Sequence, residues 1–173
     1  MAGSEIISGL PSAKGLLARA CTVAEIVSLV ESTKWADSLT AREVETLSRY
    51  LHVCDAQKDT VIVREGGREP YLCLLVEGRV RIVKEGTGRA AKRIGFAEAG
   101  RIVGEMSLID GEPRSASIIA EQPSTLVVLT GEAFARLSSE IPRLAIKVLL
   151  KVSKLISQRL RQTSGALVDY LGE

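Results

Sequence analysis

The chain has 173 residues, 46% of them hydrophobic and 25% charged, which suits one globular domain with appendages and a core of real size. Aromatic residues are only 3%, so aliphatic side chains must fill the interior, and a net charge of +2 is too small to imply a nucleic-acid partner. Three widely spaced cysteines with a single histidine argue against a zinc site, and the absence of a transmembrane run or leader points to a cytoplasmic protein with reduced thiols.

Taken in order, residues 1–34 read as an N-terminal helical extension. Gly9, Pro11 and Gly15 limit residues 3–20 to short helices at best. Thr22 and Glu25 then form a capping box, followed by Val23, Ile26, Val27 and Val30 on one helical face. Thr40 and Glu43 repeat the box, and Val44, Leu47 and Leu51 give the second helix its apolar stripe. From about residue 59 the pattern changes to short β-rich runs: TVIVREGG, YLCLLVEGRVRIVK, KRIGFAEAGRIVG, SASIIAE and STLVVLT. Val80 and Ile82 alternate with Arg79 and Arg81, as in a half-exposed strand, and Glu77-Gly78 is expected to make a tight hairpin turn. Strands this dense, with no helices between them, favour a sandwich, jelly roll or barrel over residues 35–140. Thr130 and Glu132 open another helix. Residues 141–173 hold a long helix after Pro142, with Ala145, Leu149, Val152 and Ile156 as an apolar seam and Gly165 as its expected end. That seam admits a homodimer through residues 143–162, or packing against the chain's own β domain. The basic residues of 143–161 read as a solvated face.

No enzyme signature is present. A second histidine, a GxSxG elbow, a P-loop and HExxH are all missing, and His52 reads as structural. The stretch GEMSLIDGEPRSAS at 104–117 is different. Gly104 lets backbone approach a ligand, and Glu105 begins one helical turn whose Met106 and Ser107 N–H groups lack helical acceptors. Arg114 adds a planar fork suited to phosphate oxygens, and Ser115 a further donor. Taken singly, Glu105 fits a helix start, Arg114 its ion-pair partner, Pro113 a turn and Ser115 a strand start. Together at this spacing they fit a ligand carrying both an anionic group and a sugar diol, because a carboxylate beside a phosphate must face hydroxyls.

These residues resemble the phosphate-binding cassette of the cyclic nucleotide-binding domain family. Its form, GE-x-x-L followed by PR-[ST/A]-A, stands here as Gly104-Glu105-Met106-Ser107-Leu108 and Pro113-Arg114-Ser115-Ala116. VREGG, LLVEGRVRI and Gly100 also look like the family's strand and turn glycines, and the similarity runs from about Trp35 to about Gln162. The resemblance implies a mainly β fold: an eight-stranded jelly-roll β-barrel with N-terminal helices and a long C-terminal helix that closes over the purine. It implies that Arg114 pairs with the cyclic phosphate and that Glu105 accepts from the ribose 2′-hydroxyl. Gly104, Met106 and Ser107 would donate from the backbone, and Ser115 would contribute another bond.

The implied protein is a non-enzymatic bacterial signalling receptor with no cofactor and an unidentified effector partner. Its ligand is cAMP in preference to cGMP, because Ser115 resembles the cAMP-binding activators, although a hydroxyl there can also bond a syn guanine. Val103 stands where the family commonly has phenylalanine, and no DNA-binding module follows the long helix. Two alternatives keep the fold: a ligand-independent interaction module, and the sensor fragment of a transcription regulator.

Overall fold

The computed structural model describes residues 15–86 and 91–171. Both capping boxes form. Helix α1 (Val23–Glu31) starts with Thr22 Oγ1 accepting from the Glu25 N–H at 3.3 Å, while the Glu25 carboxylate accepts from the Thr22 N–H at 2.6 Å. Those bonds hold the Glu25 carboxyl below its ordinary pKa. Helix α2 (Ala41–Ser48) repeats the arrangement with Thr40 and Glu43. The buried faces are Ile26 and Val30 on α1 and Val44 and Leu47 on α2, the spacing that the apolar pattern requires.

The described residues form nine strands in two antiparallel sheets. One sheet has the order β1 (Leu16–Arg19), β2 (His52–Ala56), β9 (Ser124–Thr130), β4 (Tyr71–Glu77) and β7 (Ile102–Val103). The other has the order β3 (Val61–Val63), β8 (Ser117–Ala120), β5 (Arg79–Glu85) and β6 (Ala91–Glu98). The core lies between their facing surfaces. Alternate residues of each strand supply it: Tyr71, Cys73 and Leu75 from β4, Leu126 and Val128 from β9, Val80 from β5, and Ile118 and Ala120 from β8. Each aliphatic side chain fully buried there stabilises the fold by about 1.5–3 kcal/mol, which lets a chain poor in aromatics hold together. On the opposite face of β4, Leu72, Leu74 and Val76 are buried as well, so this strand is covered on both sides.

Three expectations change. Residues 16–19 form a strand, not a short helix: Leu16–Arg19 pairs residue for residue with Arg19↔Val53 through Leu16↔Ala56, and that pairing overrides the helical propensity of Leu, Ala and Arg. Glu77-Gly78 is not a hairpin turn, because β4 and β5 lie in different sheets. Gly78, at φ 98°, instead carries the chain between the sheets, where a Cβ would meet Ser124 Oγ at 2.2 Å. Gly165 does not end the last helix, which runs as α5 from Pro142 to Leu171. Its neighbourhood is empty, so it is accommodated at the ordinary cost of a helical glycine, about 1 kcal/mol.

Helix α4 (Gly131–Glu140) begins as read, with Thr130 Oγ1 accepting from the Ala133 N–H at 3.1 Å. The chain divides into two compact units after Arg136. Along α5 of the second unit, Ala145, Val148 and Val152 are buried in the single chain, whereas Ile146, Leu150 and Leu160 are exposed. No helix among the described residues is long and apolar enough to cross a membrane.

Candidate functional site

Strand β7 ends where Gly104 turns the chain at φ 75°, a left-handed conformation that side chains oppose. Space opposes a side chain there too: a Cβ would lie 2.9 Å from Arg114 Nη1 and 3.3 Å from the Tyr71 carbonyl oxygen. Glu105 follows at the N-cap of the short helix α3 (Met106–Asp110), which Gly111 closes at φ 71°. Glu105 makes no side-chain cap hydrogen bond, so helix capping does not account for a carboxylate at this position. The chain then returns through Pro113-Arg114-Ser115 into β8.

The loop after β3 clamps this return. The Gly66 N–H donates to the Arg114 carbonyl at 2.8 Å, and the Arg114 N–H donates to the Gly67 carbonyl at 2.8 Å. Beside it the Glu65 N–H donates to Ser117 Oγ at 2.9 Å, and Lys84 Nζ donates to the Ser115 carbonyl at 2.6 Å while lying 3.5 Å from Glu65 Oε1. The VREGG run and the PRSAS run are therefore one structural unit, joined mainly through backbone.

Arg114 is 5% exposed. Its Nη1 donates to the Gly104 carbonyl, and its Nη2 donates to the carbonyls of Glu69 and Tyr71, each at 2.8 Å. The guanidinium lies over the Tyr71 ring, 4.2 Å from its centroid. Arg114 Nε has no partner among the described residues. Carbonyl dipoles and a π face solvate the cation without cancelling its charge, so the loop keeps a fixed positive centre.

The six residues singled out from the sequence all sit on this one turn. Glu105, Ser107 and Arg114 are buried, and Ser107 Oγ has no hydrogen-bond partner among the described residues. Met106 and Ser115 are exposed neighbours, with Ser115 Oγ 3.9 Å from Met106 Sδ. Gly104 and Arg114 are joined directly by hydrogen bond. Sequence reasoning missed Tyr71, Glu69 and Lys84. The first two reach Arg114 across 43 and 45 residues of chain, a separation that no local pattern encodes. His52 stands apart as the half-buried first residue of β2, opposite Val128.

Comparison with known proteins follows the same residues. Residues 54–140 match the family described as "Cyclic nucleotide-binding domain". A crystal structure of a cyclic nucleotide-binding domain from Methylobacillus flagellatus superposes with a TM-score of 0.78 at 31% identity, covering 90% of this chain and 89% of that one. The cyclic AMP receptor protein of Thermus thermophilus is 30% identical over 124 residues, 72% of this chain and 56% of the relative. Lysophospholipase nte1 of Aspergillus terreus is 29% identical over 135 residues, 78% of this chain but 9% of that protein. The chain thus spans a small fraction of one of these relatives and about half of the other.

Proposed function

The chain belongs to the cyclic nucleotide-binding domain family, and from that premise we propose that it is a non-enzymatic receptor for a 3′,5′-cyclic purine nucleotide, cAMP in preference to cGMP. The observation that carries this reading is the buried Arg114 guanidinium bonded beneath the Gly104-Glu105 turn. The same loop carries a second buried ionisable side chain, Glu105. A cyclic phosphate suits the cation, and the ribose 2′-hydroxyl suits the carboxylate. Backbone N–H groups of Gly104, Met106 and Ser107, with Ser115, complete the set of donors. The preference for adenine rests on Ser115 and on the name of the Thermus relative.

Binding is read out through α5 rather than through chemistry: the nucleotide favours whichever placement of that helix binds it better, and an effector protein senses the difference. A second copy of the chain is a further partner, and the exposed apolar stripe of Ile146, Leu150 and Leu160 is the surface for it. Val152 is buried already in the single chain and lies outside that surface. Three unpaired thiols support the reading of a reducing, cytoplasmic setting.

Calorimetric titration with cAMP, cGMP and 5′-AMP tests the reading. The cyclic nucleotides should bind and 5′-AMP should bind far more weakly. Arg114→Ala should lose roughly ten- to a hundredfold, the worth of charge-assisted bonds of about 1.5–3 kcal/mol. Glu105→Gln should weaken cAMP more than its 2′-deoxy analogue. Millimolar cyclic nucleotide without binding heat would end the receptor reading, and a monomer by light scattering at high concentration would end the self-association.

A further inference from the structure

We infer that Tyr71 is the positioning residue for Arg114, fixing the plane and depth of the guanidinium that the ligand's anionic group meets. This rests on the receptor reading above and adds to it a residue far from the loop in sequence.

Tyr71 holds the guanidinium from two directions. Its ring lies under the cation at 4.2 Å, and its carbonyl oxygen accepts from Nη2 at 2.8 Å. The carbonyl accepts from an N–H in the plane of the guanidinium, as those of Gly104 and Glu69 do, and the π face adds the constraint on its height that in-plane bonds do not supply. The ring is itself fixed. Tyr71 is 1% exposed, and its hydroxyl donates to the Ile62 carbonyl at 2.6 Å, so the far end of the side chain is tied to β3. Burial pushes the phenol well above its ordinary pKa, and the ring therefore stays neutral across the physiological range. The next residue back, Pro70, carries the carbonyl that caps the start of α4 by accepting from the Gly131 N–H at 2.6 Å, which anchors the entrance to β4 as well.

The residue is more than core filling. A leucine would fill much of the same volume in the buried cluster to which Tyr71 belongs, but it offers a cation no π face. Left without one, the guanidinium keeps its bonds to the carbonyls of Gly104, Glu69 and Tyr71 but loses the surface that fixes its depth and tilt, and the phosphate then meets a misplaced fork. The main-chain carbonyl survives every substitution at position 71, so side-chain variants isolate the ring.

Titration of cAMP into the wild type, Tyr71→Phe, Tyr71→Leu, Arg114→Ala and the Tyr71→Leu/Arg114→Ala pair tests this, with urea unfolding of each variant to confirm a folded state. Tyr71→Phe keeps the π face and loses only the bond to Ile62, so it should bind within about twofold of wild type even if less stable. Tyr71→Leu should lose about tenfold in affinity. In the Arg114→Ala background the same leucine should cost less than about twofold, because nothing remains to position. Folded Tyr71→Leu with wild-type affinity would overturn the assignment, as would an equal loss in both backgrounds, which marks general packing. If Tyr71→Leu does not fold, a loss of affinity in folded Tyr71→Phe comparable to that of Arg114→Ala would overturn it. Absence of any cAMP binding in the wild type would overturn the receptor reading and this role together, whereas binding that survives the leucine overturns this role alone.

Discussion

Gly104 brings together the two properties that the site requires, a left-handed turn and a carbonyl aimed at Arg114. Alanine at 104 would meet both penalties: roughly 1–2 kcal/mol for the left-handed backbone, and a Cβ 2.9 Å from the guanidinium nitrogen that occupies the turn. Gly104→Ala should therefore lose affinity for cyclic nucleotide by about tenfold or more, measured by the same titration, and lower the urea midpoint as well. Full affinity in a destabilised variant would mean that the guanidinium can move without consequence. The residues of this turn were legible because Gly104, Glu105 and Arg114 lie in one loop, where chemistry and spacing can be read together. Tyr71 was not legible. In sequence it is one aromatic in an apolar strand, and its contact with the cation exists only once β4 and the returning loop are side by side.

Helix starts were legible for the same local reason. Each capping box closes between residues three apart, so Thr22 with Glu25 and Thr40 with Glu43 carry their own evidence. Strand β1 carries none, because four residues of Leu, Leu, Ala and Arg become a strand only by pairing with β2. The role of Gly78 was hidden likewise, since whether a glycine turns a hairpin or crosses between sheets depends on partners supplied by other strands. Pairing also sets the chemistry of the thiols. Cys54 on β2 and Cys73 on β4 face the core, where burial pushes both thiols from an ordinary 9.0 up to about 12. In the unfolded chain they ionise near 9, and in the folded chain they stay protonated, so their contribution to stability is full below pH 9 and is lost as pH rises toward about 12. Urea midpoints should decline as pH rises from about 9 toward about 12, and the Cys54→Ala/Cys73→Ala pair should flatten part of that decline. An unchanged slope in the pair would show that these thiols do not set it.

The two compact units have complementary tasks in this reading. The first holds the nucleotide's phosphate and ribose on a loop clamped by backbone hydrogen bonds, which makes it a stable platform. The second is dominated by a 30-residue helix with basic and apolar surface still exposed, which suits it to report occupancy to a partner. The loop's cation is bonded to the carbonyls of Gly104, Glu69 and Tyr71 and lies over the Tyr71 ring. A ligand that binds the native state alone stabilises it by about 2.7 kcal/mol at a hundredfold excess over its dissociation constant, and coupling to the helix of about 1–3 kcal/mol suffices to change an effector's affinity several-fold or more. Hydrogen exchange with and without saturating cAMP reads both parts at once. New protection is expected at residues 104–117, where the donors engage the nucleotide, and at residues 143–162, where the helix responds. Protection in the loop alone would refute the coupling, and unchanged exchange at 104–117 would contradict the receptor itself.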